Sequence, residues 1–144
     1  TKAALFMSLG AFMLNTKNVY INSLRGLGKS MPFTSAAFVI GGLSLIGVPG
    51  TAGFISKWLL LEAALETGYW VIAILIIVSS LFAVIYIWKI IEVLYFSESS
   101  ESYSEVNGLT LTPIWILALF CVFFGINTSL TVDVANVAAE ILFK

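Results

Sequence analysis

The stretch VPGTAGFISKW, residues 48–58, places Lys57 inside one of the most apolar parts of the chain, just after Pro49, Gly50 and Gly53. A lysine at the centre of a membrane helix costs on the order of 2.5–3.5 kcal/mol, so it must find a partner, reach water or snorkel to an interface. An amine that does meet water can lose and regain a proton; desolvation disfavours its cation and a nearby carboxylate restores it. Lys57 therefore has two readings, a proton relay at membrane depth or a snorkelling anchor. The breakers before it bear on the choice. Pro49 removes a backbone donor and Gly50 and Gly53 relax the backbone, so the spacing predicts a helix broken at residues 49–53. Freed carbonyls and amides are tolerated in a membrane only where protein or a water-filled cavity satisfies them, and broken helices of this kind form ion sites in transporters.

Other polar side chains have two readings as well. Glu62 and Glu66, at i and i+4, either border the exit of a proton path or mark the outer interface. Ser79 and Ser80 either line a wet path or bond back to their own helix. Lys89 and Glu92, at i and i+3, read as a local pair near the inner interface. Lys2, judged by position alone, is an end charge. The chain has no histidine, which excludes a histidine relay and a histidine-built metal site. No cofactor or metal is expected, and no nucleophile–base cluster suggests a hydrolase. Cys121, between Phe120 and Val122, reads as a packing residue.

These residues sit in elements that only a membrane explains. The chain of 144 residues is 60% hydrophobic and 10% charged, whereas soluble domains run near a quarter charged. Its net charge of −1 offers no surplus for nucleic acid. The fold class is all-α, a polytopic transmembrane bundle with one broken helix. Residues 1–15 read as the end of a truncated helix, since residues 3–14 are too few to cross a bilayer, and the chain is expected to be a C-terminal fragment of a longer protein. Residues 16–31, with Lys17, Arg25 and Lys29 and no acid, read as a cytoplasmic basic loop, whose glycines and Asn residues mark either a loop or a surface helix. The broken helix follows at 32–67; unbroken, its first 35 residues would run roughly 50 Å, far beyond a ~30 Å core. A helix at 69–97, an acidic solvated loop at 98–107 and a helix at 108–127 come next. Residues 129–143 read as an amphipathic C-terminal helix, with Asp133, Asn136 and Glu140 as one polar stripe.

The segment GLGKSMPFTSAAFVIGGLSLIGVPGTAGFISKW, residues 26–58, resembles the antiporter-like membrane subunits shared by Mrp-type cation/proton antiporters, respiratory complex I and membrane-bound hydrogenases. The shared pattern is Gly28-Lys29-x-x-Pro32, then Gly41-Gly42, then Pro49-x-x-x-Gly53-Phe54-x-Ser56-Lys57. The stretches SSLFAVIYIWKIIEVLYF, 79–96, and ALFCVFFGI, 118–126, look most like the D branch of the Mrp-type antiporter subunits. The resemblance implies a subunit of about fourteen helices built from two inverted five-helix repeats, of which this chain supplies the C-terminal end. It makes Lys2-Ala3 the close of a His-x-x-x-Lys-Ala motif and Lys2 a central-axis lysine, with Lys57 the terminal lysine of the same axis.

The activity so implied is proton translocation in a monovalent cation (sodium)/proton antiporter, along intramembrane lysines and water. The alternative is a proton-pumping subunit of a complex I-like or hydrogenase redox complex, without a redox centre of its own. The implied partners are other membrane subunits, the lipid bilayer, protons and sodium, in a prokaryotic cell membrane. A third reading makes the chain an anchor or assembly subunit whose charges only snorkel.

Overall fold

Runs rich in Leu, Ile, Val, Ala and Phe can satisfy their backbone polar groups within a membrane only as helices or closed barrels, and this chain takes the helical solution. The structure, a computed structural model, describes residues 1–18, 20–97 and 103–142, without the side chains at 130, 131, 136, 140 and 142. Every regular element among these residues is helical: α1 (Lys2–Thr16), a 3-10 turn (Ile21–Leu24), α2 (Leu27–Ser30), α3 (Pro32–Ile46), α4 (Ala52–Glu66), α5 (Trp70–Phe96), α6 (Gly108–Ile126) and α7 (Thr128–Leu142). Helices α5 and α6 are long and apolar enough to cross a membrane. At 15 residues each, α3 and α4 are about 22 Å long, short of a full crossing.

Helix α3 is the axis of the bundle. It packs against α1, α5 and α6, while α4 lies across α5 and α6. Its buried face is built from small residues, Thr34, Ser35, Ala37, Gly41, Gly42 and Ser44, together with Phe38. Small side chains let neighbouring helices approach closely: a Cβ on Gly42 would lie 2.9 Å from Ile87, and one on Gly41 3.2 Å from Leu5. Phe12 and Phe38 meet at 6.1 Å between ring centres in the main apolar cluster, with Leu5, Leu27, Met31, Ile87 and Leu94. Outward, α5 exposes Trp70, Val71, Leu75, Phe82, Ile85 and Trp88, a face suited to lipid.

Three segments differ from the sequence reading. Residues 16–31 take short helical turns that do not stay on the surface: the 3-10 turn, α2 and the residue after it bury Leu24, Leu27 and Met31 against the bundle. Gly28 makes this possible, since a Cβ there would lie 2.7 Å from the Tyr95 ring and 2.8 Å from the Leu94 carbonyl. The chain then bends by 117° into α3, because Met31 precedes Pro32 and is driven out of the helical region. The second difference is the acidic loop. Residues 98–102 lie outside the described residues, but Tyr103 and Val106 pack against the core instead of being solvated.

Third, no ion pair forms among the described residues, and Lys89 and Glu92 both stay exposed and apart. An exposed i, i+3 pair gains only about 0.2–0.5 kcal/mol, too little to order two long side chains. On α7, Asp133 is exposed, while the other two stripe positions, Asn136 and Glu140, fall outside the described side chains.

Candidate functional site at the helix break

Helix α3 ends at Ile46, three residues before Pro49. Gly47 takes a left-handed conformation, φ 91°, which a glycine adopts without a Cβ penalty. Its N–H donates to Ser44 O at 3.2 Å and Leu43 O at 3.0 Å, and Val48 N–H donates to Leu43 O at 3.1 Å. This is the Schellman arrangement, which satisfies two of the four carbonyls that any helix end leaves over. Two remain, those of Leu45 and Ile46. The Lys57 ammonium takes both, Nζ donating at 2.9 and 3.0 Å. Its third hydrogen bond goes to Ser80 Oγ on α5, at 2.9 Å.

The end of α4 serves as a control. Gly68 is again left-handed, with Gly68 N–H donating to Leu65 O and Tyr69 N–H to Ala64 O, the same motif. No cation meets the carbonyls left over there among the described residues. Thr67 and Gly68 are exposed there, whereas Gly47 and Lys57 at the break are partly buried. The lysine is thus the feature that separates the two helix ends.

On the other side of the break, α4 begins with amides that need acceptors. Gly53 N–H donates to Ser44 Oγ at 3.2 Å, and Phe54 N–H to Thr51 O at 3.1 Å. Ser44 is fully buried, and its hydroxyl also lies 2.7 Å from Thr1 Oγ1, which in turn is 3.6 Å from Cys121 Sγ. Cys121 is accordingly buried as a packing residue, and the start of α1 reaches the break through Thr1. Two glycines let backbones meet here. A Cβ on Gly53 would fall 1.8 Å from Ser44 O, and one on Gly125 of α6 would fall 2.3 Å from Gly50 O.

The break therefore spans residues 47–51, with Pro49 and Gly50 exposed within it and Gly53 in the first turn of α4. Ser80 is brought to Lys57; Ser79 is not, its exposed hydroxyl bonding back to Ile76 O at 2.8 Å. Glu62 and Glu66 are exposed on α4 and lie outside the cleft beside Lys57. That cleft, about 240 Å³, is walled by Phe54, Trp58, Leu61, Ile77, Leu81 and Val84. Lys2 is exposed and makes no bond to Lys57; only its neighbour Thr1 joins the break.

Sequence reasoning missed Glu105. Its carboxylate accepts from Phe33 N–H at 2.9 Å and from Thr34 Oγ1 at 2.5 Å, capping the start of α3 from 72 positions away. A helix carries about half a positive charge at its N-terminus and half a negative charge at its C-terminus. Glu105 and Lys57 meet these ends with the opposite sign. Gly47 did carry a signal, a glycine closing an apolar run. Ser44, Gly125 and Glu105 carried none, because partners of each are remote in the chain.

A bundle of apolar helices around a broken, lysine-capped axis defines a polytopic helical membrane protein. More particularly, residues 1–83 match the model of the NADH:quinone oxidoreductase/Mrp antiporter transmembrane family, and the chain belongs to it. It is 37% identical over 123 residues to the N subunit of the NADH-quinone oxidoreductase of Rhodospirillum rubrum, covering 85% of this chain and 25% of that protein. It is 30% identical over 147 residues to the D subunit of the Na(+)/H(+) antiporter of Bacillus subtilis, covering 99% of this chain and 30% of that one. The chain thus spans between a quarter and a third of the length of these curated relatives. In fold it resembles a chain of the Mrp complex from Dietzia sp. DQ12-45-1b, with a TM-score of 0.88, 22% identity, and coverage of 99% of this chain and 35% of the other.

Proposed function

We propose that this chain is part of a proton-translocating membrane subunit of a monovalent cation/proton antiporter, with sodium as the exchanged cation, and that Lys57 is its proton-exchanging group. The observation that carries the reading is the Lys57 ammonium seated on the freed carbonyls of a helix break, beside a cleft with room for water. In that seat the ammonium gives a proton to water on one side, and the free amine then takes one from the other. One proton moves, and the side chain returns to its starting state. Neutral acceptors and a helix dipole balance the cation, with no carboxylate among its partners, so the charge is held loosely enough to be surrendered.

Family membership and the likeness to the D subunit of an antiporter across nearly the whole chain support this reading. Likeness to the N subunit of a quinone oxidoreductase favours a second one, the same lysine driven by redox chemistry in other subunits. In both readings Lys2 belongs to the same axis, and Pro49, Gly50 and Gly53 shape the break. The partners are other membrane subunits and lipid, the location is a prokaryotic cell membrane, and the basic segment 16–31 faces the cytoplasm.

The test uses everted vesicles containing the full-length assembly, energised by respiration. Sodium should collapse the pH gradient in wild type and fail to do so in Lys57→Ala at matched expression. Collapse that survives in the variant rejects the exchange role. A wild type indifferent to sodium but pumping on electron donors moves the reading to the redox-driven class.

A further inference from the structure

The Lys57 amine has three N–H groups only while it is charged, and all three are engaged, by Leu45 O, Ile46 O and Ser80 Oγ. Loss of one proton leaves two donors and a lone pair. Two of the three partners are carbonyls, which only accept. Ser80 alone holds a hydrogen that can turn toward that lone pair. In the charged arrangement this hydrogen is directed to Ile76 O, 3.1 Å away, while the oxygen accepts from Lys57. Turning the hydroxyl strands nothing, because Ile76 O still has its helical bond from the Ser80 amide. Ser79, one position away, has the same back-bond to Ile76 O and no contact with the amine.

We propose that Ser80 is a positioning residue for proton exchange: a hydroxyl rotor that accepts from the Lys57 ammonium, donates to the free amine, and keeps Lys57 seated in both states. The surroundings leave it this role. Lys57 is the single titratable side chain lining the cleft. The other titratable groups on the packed elements, Glu62 and Glu66 on α4, Tyr86, Lys89, Glu92 and Tyr95 on α5 and Cys121 on α6, lie outside it, and α3 has none. This inference rests on proton exchange at Lys57.

The experiment follows the rate of sodium-driven collapse of the pH gradient against pH, in everted vesicles with the full-length assembly. It compares wild type with Ser80→Ala, Ser80→Cys, Ser80→Thr, Ser79→Ala and Lys57→Ala. A hydrogen bond to a charged amine outweighs one to a neutral amine, so losing both moves the alkaline limb of the profile to lower pH by about one unit. Ser80→Ala should show that shift with a reduced plateau. Ser80→Thr and Ser79→Ala should keep the wild-type limb. If Ser80→Ala fails to assemble, Ser80→Cys, nearly the same size with a weak thiol donor, decides by the same shift. A limb that stays in place while the plateau falls overturns the rotor and leaves Ser80 as packing. With Lys57→Ala inactive, that outcome rejects the rotor alone; with Lys57→Ala active, proton exchange and rotor fall together.

Discussion

Glu105 and Lys57 hold α3 at its two ends, but substitutions separate their contributions. Lys57→Arg keeps a cation that can donate to Leu45 O and Ile46 O but cannot be deprotonated in a protein. Assembly of this variant is expected to match wild type while sodium-driven collapse of the pH gradient is abolished. An anchor role predicts near-normal transport instead. Lys57→Met strands two carbonyls at about 1–3 kcal/mol each, so assembly measured by native gel should fall as well. Glu105→Ala leaves Phe33 N–H and Thr34 Oγ1 without their acceptor and should cost about 1–2 kcal/mol, read as a lower melting temperature of the solubilised complex. At this scale Lys57 was legible because a full charge in an apolar run demands an explanation. Glu105 was hidden among the acids of a polar loop, and only the folded chain reveals that one of them meets a helix start.

The break is a joint made by backbone contacts, and its glycines are not equivalent. Gly50 has φ 88° with open space around it, so Gly50→Ala strains one residue by about 1–2 kcal/mol. Gly53 and Gly125 stand where a Cβ would collide with backbone, at 1.8 Å and 2.3 Å. Gly53→Ala and Gly125→Ala are therefore expected to lower assembled protein in the membrane far more than Gly50→Ala, by immunoblot at equal transcript. The existence of a break was readable from Pro49 and its glycines. Its position was not, because the left-handed Gly47 ends the helix before the proline is reached. The same limit hid the 3-10 turn and α2. Asn and Gly in residues 15–28 mark a loop or a surface helix, yet Leu24, Leu27 and Met31 find buried places among α1, α3 and α5 that only the folded chain provides.

Across the bundle, apolar surface is distributed by what must cover it. Composition alone made the all-α membrane reading legible, since few other folds can hide the backbone of a chain that is 60% hydrophobic. Which helix becomes the axis was not legible, because α3, α5 and α6 are all predominantly apolar. The small residues on α3 decide it, as they let three neighbours close on one helix. Sidedness is open to direct measurement. Lys17→Cys and Lys29→Cys, both at exposed positions, should react with an impermeant maleimide in everted vesicles and stay unlabelled in intact cells. The reverse pattern would invert the orientation drawn from the basic segment.

The contact of Gly125 with Gly50 also bears on how fast this site can work. A broken helix is commonly pictured as a hinge, but here α6 presses on the connecting backbone and Gly53 presses on Ser44. What remains free to reorient is a lysine side chain and a hydroxyl, groups that move in picoseconds to nanoseconds, whereas helices rock in microseconds to milliseconds. Reorientation of these two groups is thus over long before any movement of whole helices, and under the proposed relay the pace is left to proton transfer itself and to the rest of the assembly.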